Sequence, residues 1–176
     1  MLMYVLGGVA VLIVLFILFV ASRPSAFTIT RTQLMDAPPG APFEQVNDFH
    51  NWDGWSPWAK MDPTMKKTFD GSPAGVGAIY TWEGDNKVGS GKMNITESQP
   101  GQRVVINLEF LKPFKANNVA NFTFEPRDGQ TNVTWSMSGK KNFMFKMVGL
   151  FMNMDDMVGK DFAKGLASMK TIVEAK

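Results

Sequence analysis

Residues 117–139 read NNVANFTFEPRDGQTNVTWSMSG, two runs of alternating apolar and polar side chains joined by a segment containing Pro, Asp and Gly. In an extended chain successive side chains point to opposite faces, so a period of two sorts the residues of a strand by side. Ala120, Phe122 and Phe124 fall on one side of the first run, and Val133, Trp135 and Met137 on one side of the second. Asn121, Thr123, Asn132, Thr134 and Ser136 fall on the other. The pair predicts an antiparallel hairpin with one apolar and one hydrated face. The rest of the chain must supply its neighbours and a cover for the apolar side.

Runs of the same kind at 27–34, 65–69, 78–83, 87–97 and 103–111 bring the predicted strands to seven. Gly71-Ser72-Pro73, Gly84-Asp85-Asn86, Gln99-Pro100-Gly101 and Lys112-Pro113 separate them with turn-forming residues, and the connections suit an antiparallel meander. Tyr80, Trp82, Met93, Ile95, Val104, Ile106, Leu108 and Phe110 join the apolar face. The pairs Gly75-x-Gly77 and Gly89-x-Gly91 precede no helix, which argues against a phosphate-binding loop and for bulges or bends that curve the sheet.

The cover comes from 143–175. Met144, Val148, Phe151, Asp155, Val158, Phe162, Leu166, Met169 and Val173 recur at spacings of three and four, one stripe of a long helix. Asp155 is the polar member of the stripe, and Gly159 is a place for the helix to bend. Before the meander, Pro42 opens a short helix over 43–49. That helix leads into HNWDGWSPW, residues 50–58, which holds three of the five tryptophans and the single histidine. The predicted fold class is α+β: a strand, short helices, a curved meander completing a seven-stranded antiparallel sheet, and a long C-terminal helix across the concave face.

Ahead of all this, residues 1–22 carry no charged side chain and 4–20 are an almost unbroken apolar run. About 20 residues at 1.5 Å each match a hydrocarbon layer roughly 30 Å thick. A single-pass membrane helix and a cleaved secretory signal both fit such a run. The lack of a basic residue ahead of it, and Arg23-Pro24 directly after the small-residue site Val20-Ala21-Ser22, favour the anchor. The chain then divides into an anchor over 1–22, a linker over 23–26 and a domain over 27–176. Arg23, the first charge, places that domain on the cytoplasmic side by the positive-inside tendency.

Composition narrows the chemistry. With 176 residues, 45% of them hydrophobic and 19% charged, the chain suits one folded domain plus the appendage. No cysteine means no disulfide and no thiol chemistry, and a net charge of +2 is too small for a nucleic-acid face. His50, Asp53 and Asp62 lack the spacing of a ligand set, so neither a metal nor another cofactor is expected.

Several motifs carry a resemblance. They are Ala37-Pro38-Pro39; Trp52-x-x-Trp55-x-Pro57-Trp58 with Asp62-Pro63; Gly75-x-Gly77-x-x-Tyr80-x-Trp82-x-Gly84; and Gly89-x-Gly91-x-Met93-x-Ile95. Leu108-x-Phe110-x-x-Pro113, Thr134-Trp135-x-Met137-x-Gly139 and Gly159-Lys160-Asp161-Phe162-x-Lys164-Gly165-Leu166 follow. Over 27–176 the chain resembles the SRPBCC, or START-like, superfamily with its helix-grip fold. That superfamily includes START lipid-transfer domains, the birch-pollen allergen, activators of the heat-shock chaperone ATPase, and the bacterial polyketide cyclase/dehydratase-like subgroup, the nearest in pattern.

The resemblance implies an apolar cavity between sheet and C-terminal helix that holds a hydrophobic small molecule or lipid; only some members are enzymes. On that reading Tyr80, Trp82, Met93, Phe110, Phe124, Trp135, Phe151 and Asp155 contact the ligand. Trp52, Trp55 and Trp58 close one end of the core or guard the cavity entrance. Methionines at 137, 144, 147, 152, 154, 157 and 169 suit a deformable wall. Two alternatives stand beside the binder. A cyclase or dehydratase would use Asp155 and Tyr80 as acid–base groups, although Asp155 also reads as turned to water or as a cap. A protein-interaction module would have a filled interior, whereas a void above roughly 300 Å³ favours a binder.

Overall fold

The structure, a computed structural model, describes residues 2–151 and 153–175. A helix, α1 (Leu2–Ser22), leads through three residues into β1 (Ala26–Met35). Then come α2 (Gly40–Asn47), a 3-10 turn (Phe49–Asn51), α3 (Trp52–Trp55) and α4 (Pro57–Met61). The meander is β2 (Lys66–Gly71), β3 (Ala78–Glu83), β4 (Ser90–Gln99), β5 (Arg103–Lys112), β6 (Ala116–Arg127) and β7 (Gln130–Lys140). Two helices close the chain, α5 (Phe143–Val148) and α6 (Met154–Val173).

The seven strands form one antiparallel sheet in the order β1-β7-β6-β5-β4-β3-β2, so β1 joins the far edge of the meander through β7. The hairpin predicted from 117–139 is present. It turns at Asp128 and Gly129, both with positive φ, and Arg127 pairs with Gln130 across the turn. Asp-Gly supplies that left-handed pair of conformations at little cost, and its twist matches the flanking strands. Register shifts between Ser90 and Gly91 and between Ile95 and Glu97 mark irregularities of β4 against β5. Such bulges bend a strand and raise its twist, which curves the sheet.

The predicted long C-terminal helix is two helices. Asn142 caps α5 by accepting the Phe145 N–H at 2.9 Å, and Asn153 caps α6 by accepting the Asp155 N–H at 3.0 Å. Two N-caps within one apolar stripe restart the helix after Gly149, because each satisfies amide groups that a helix start leaves without partners. Asp155 and Asp156 then lie in the first turn of α6, where the helix dipole favours negative charge. The helix continues without interruption through Gly159.

α6 packs chiefly on β1 and also meets α2, α3, α4 and β7. Its buried residues are Gly159, Phe162, Gly165, Leu166 and Met169. The core lies between them and the concave face, from Ile29 and Met35 on β1 to Tyr80 and Trp82 on β3.

Candidate functional site

The concave face has two halves, set by what fills them. Toward the end where the β6–β7 turn lies, the tryptophan stretch folds back as the 3-10 turn, α3 and α4, inserting its rings between sheet and helix. Trp55 is fully buried and Trp52 nearly so. Their indole N–H groups donate to Gln45 O at 2.9 Å and Val46 O at 3.1 Å, so each ring is fixed at its polar end as well as by packing. Trp135 stacks on Phe122 at 4.9 Å and on Phe162 at 3.9 Å with only 6° between the latter planes. Trp52, Trp55 and Trp58 meet Trp135 edge-on. This half is solid aromatic packing, with Phe43 edge-on to Phe124 beside it.

The other half lies toward α1. Trp82 crosses Gly91, whose missing side chain makes room for the indole, and Phe110 packs edge-on to Trp82 at 5.8 Å. Met93 is buried, but Leu108, Phe110 and Phe27 are only half-buried. In their midst is Asn118, 8% exposed, its carboxamide lying where a side chain at position 139 would project. Gly139 admits it. The Asn118 Oδ1 has no hydrogen-bond partner among the described residues, and its Nδ2 has only the Met137 sulfur at 3.8 Å. A buried carbonyl oxygen without a donor is costly, and most are satisfied in folded proteins.

Six of the eight predicted contact residues, Tyr80, Trp82, Met93, Phe110, Phe124 and Trp135, point into the concave face. Two do not. Phe151 is 82% exposed because it lies in the break between α5 and α6. Asp155 is also outside the apolar interior: Arg31 of β1 reaches it with Nη1 to Oδ1 at 3.1 Å and Nη2 to Oδ2 at 3.0 Å, and also meets its main-chain oxygen at 2.9 Å. The Arg31 hydrogen bonds hold the Asp155 carboxyl below the ordinary range, opposed by partial desolvation, which is the reverse of a buried general acid. The same bond raises the Arg31 guanidinium.

Tyr80 is pushed up to about 12 by burial, with the Asp53 charge adding to it. It packs against Phe49, Phe69 and Trp82 on β3, with β4, β5, β6 and β7 between it and the strand that holds Asp155. The Arg31 ion pair and the intervening strands keep Asp155 and Tyr80, the acid–base groups of the cyclase alternative, apart. Of the methionines expected to wall a cavity, Met137 and Met169 are buried, whereas Met144 and Met157 are exposed. Met152 lies outside the described residues.

Arg31 and Asn118 are the polar residues the sequence reading passed over. Each was visible as an interruption in phase: Arg31 alternates with Ile29 and Met35, and Asn118 with Ala120 and Phe122. Gly159, one turn after Asp155, completes the first of these, since a side chain there would fall on the Arg31 guanidinium.

His50, Asp53 and Asp62 have separate partners. His50 Nδ1 lies 2.7 Å from Asp48 Oδ1 with its ring stacked on Phe69, and Asp53 pairs with Lys67 at 2.6 Å. Asp62 accepts the Thr64 hydroxyl at 2.7 Å and the Asp85 N–H at 2.9 Å, and the Thr64 bond leads in holding its carboxyl low. Among the described residues, hollows open on the surface at two places away from the concave face. One of about 140 Å³ is lined by Phe49, His50, Phe69 and the 70–73 turn. The other, of about 330 Å³, lies at the α5–α6 break beside Lys141, Phe151 and Asn153.

Comparison with known proteins agrees with the fold. No curated protein sequence matches. Among solved structures, protein CV1439 from Chromobacterium violaceum is similar at 14% identity and a TM-score of 0.63, covering 85% of this chain and 98% of that one. The Aha1 dimer from Colwellia psychrerythraea gives 14% identity and a TM-score of 0.60, over 84% and 96%. The di-domain aromatase/cyclase BexL of the BE-7585A biosynthetic pathway gives 14% and 0.62, over 89% of this chain and 53% of that chain. At such identities the likeness is one of fold, the helix-grip fold. The sequence profile described as polyketide cyclase/dehydrase and lipid transport matches residues 26–174, and the chain belongs to that family.

Proposed function

We propose that this protein is a membrane-anchored binding domain that takes up a lipid or another apolar small molecule against the α1-proximal half of its concave face. The observation that carries the reading is the contrast between the halves. One is filled by interlocked rings, while the other presents half-buried Leu108, Phe110 and Phe27 around the unpartnered Asn118 Oδ1. Large apolar walls with one well-placed polar group are what small-molecule sites use, the first for affinity and the second for orientation. A ligand hydroxyl or amide N–H would give Asn118 its missing donor. Trp82, Met93 and Phe110 would supply apolar contact; Phe124, Trp135 and the three loop tryptophans would hold the floor in place.

α1 supports the anchor: Tyr4–Ser22 has a mean hydropathy of 2.9, and its residues are almost all exposed. A signal sequence passes the same test. Arg23 and the lysines gathered at this end support a cytoplasmic placement.

The test is recovery and retention of ligand. Full-length protein purified in mild detergent would be extracted with organic solvent and the extract analysed by mass spectrometry. A fluorescent apolar probe would be titrated into wild type, Asn118→Leu and Phe110→Ala. A defined co-purified molecule is expected, with about fivefold weaker binding of a hydroxyl-bearing probe to Asn118→Leu, the loss of one neutral hydrogen bond. An empty protein that binds no probe would overturn the reading. The filled half of the interior favours, in that event, a module whose working surface is its exterior.

A further inference from the structure

The end of the domain that faces α1 is built from two segments, 110–116 at the β5–β6 turn and 140–151 around α5. Phe114 meets Phe145 edge-on at 5.8 Å and joins them into one surface. Together they carry five lysines, at 112, 115, 140, 141 and 146, and no acidic residue. They also expose large apolar side chains out of proportion to a hydrated surface: Leu111 40%, Phe114 47%, Phe143 42%, Met144 45% and Phe151 82%. Contiguous apolar exposure rimmed by charge marks a docking face.

Its position says what docks there. Ser22 ends α1 and β1 begins at Ala26, so three residues, at most about 10 Å of extended chain, separate the face from the helix end. The connection is also held. Lys141 N–H donates to Ser25 O at 2.7 Å, and Lys146 Nζ donates to the Ala21 carbonyl at 2.9 Å. Arg23 lies over the Phe19 ring at 5.3 Å. Apolar tips ringed by lysine at the level where a membrane helix ends match the acyl–headgroup boundary of an anionic bilayer, which takes apolar side chains inward and lysines at the phosphates.

We propose that this face is seated in the bilayer, with Phe114, Phe143, Met144 and Phe151 below the headgroups and the lysines bound to anionic lipid. The inference rests on α1 being an anchor. It adds a second, independent membrane contact that fixes the domain's orientation and turns the open half of the concave face toward lipid.

The chain has no cysteine, so single replacements can carry a spin label without a mutated background. Labels at Phe151→Cys, Met144→Cys, Arg127→Cys and Leu12→Cys would be placed in full-length protein in vesicles of phosphatidylcholine with a quarter phosphatidylglycerol. Collision rates with oxygen and with a water-soluble nickel chelate would be compared. Positions 151 and 144 are expected to favour oxygen as a boundary site does, 127 to favour nickel, and 12 to report the hydrocarbon. Reversing Lys112, Lys115 and Lys141 to Glu is expected to lift the face, shifting the seating equilibrium constant by at least about fivefold for each lysine reversed, and removing phosphatidylglycerol is expected to lift it as well. If Leu12 reports water, the anchor reading itself has failed. If Leu12 reports lipid while 144 and 151 report water, the seating is overturned; shielding from both reagents instead assigns the face to a protein partner and overturns it equally.

Discussion

Removing the Phe162 ring tests whether the core is as tightly filled as the contacts indicate. Phe162 is 1% exposed, lies flat on Trp135 at 3.9 Å and meets Trp58 edge-on at 6.2 Å. Phe162→Ala removes about 2 kcal/mol of apolar transfer energy. The walls are rings and the fully buried Leu166 and Met169, which cannot collapse far. A residual void on the order of 100 Å³ then costs about 2.4 kcal/mol at about 24 cal/mol per Å³. The expected loss is about 4 kcal/mol, a large part of the 5–15 kcal/mol typical of a folded domain. For a domain of this size it lowers Tm by about 8–16 °C. Urea unfolding in detergent, followed by tryptophan fluorescence, measures it directly, and Phe151→Ala is the control, expected to change stability by less than about 0.5 kcal/mol. A small apolar aromatic such as benzene should recover part of the loss, because such voids stay dry and accept apolar guests. A cost below about 1 kcal/mol for Phe162→Ala would refute the packed aromatic half.

Other outcomes follow from the same contacts. Gly91→Val places a side chain on the Trp82 ring and the Glu109 carbonyl and is expected to cost at least about 2–3 kcal/mol by urea unfolding. Asp155, held below its usual value of 3.8 by Arg31, contributes its full stabilisation above that value and loses it as pH falls toward the lower folded one. Thermal unfolding from pH 6 to pH 2.5 should therefore drop less steeply in Asp155→Asn than in wild type. Tyr80 runs the opposite way: with its folded value raised to about 12, its contribution is complete below 10 and is lost as pH rises toward 12. Ultraviolet titration should show one of the two tyrosines ionising near 12, and Tyr80→Phe should remove that step.

The sheet was legible because period-two alternation survives wherever one face is buried and the other wet, as in 117–139. The tryptophan stretch was legible as core material but not as to which ring faces what, since that depends on how three short helices turn. The C-terminal helices were half legible. An apolar stripe at spacings of three and four runs through Asn153 as if it were one more turn, and only the caps at Asn142 and Asn153 show where the helix stops and restarts. That restart moved Phe151 and Asp155 out of the interior and onto its rim. Arg31 was legible as a break in phase but not in its role: its partner lies 124 residues away, and nothing local predicts that Gly159 leaves room for a guanidinium.

The three residues between Ser22 and Ala26 also set the range over which the domain works. A long flexible tether would let a carrier diffuse through the surrounding solution and visit a second membrane. Here the first strand begins almost at the helix end and is paired at once with the last strand of the sheet, Ala26 with Lys140. On the proposed anchoring the domain travels in two dimensions only, as a fixed loading station for its own leaflet, and any delivery to a distant acceptor falls to a separate, freely diffusing carrier.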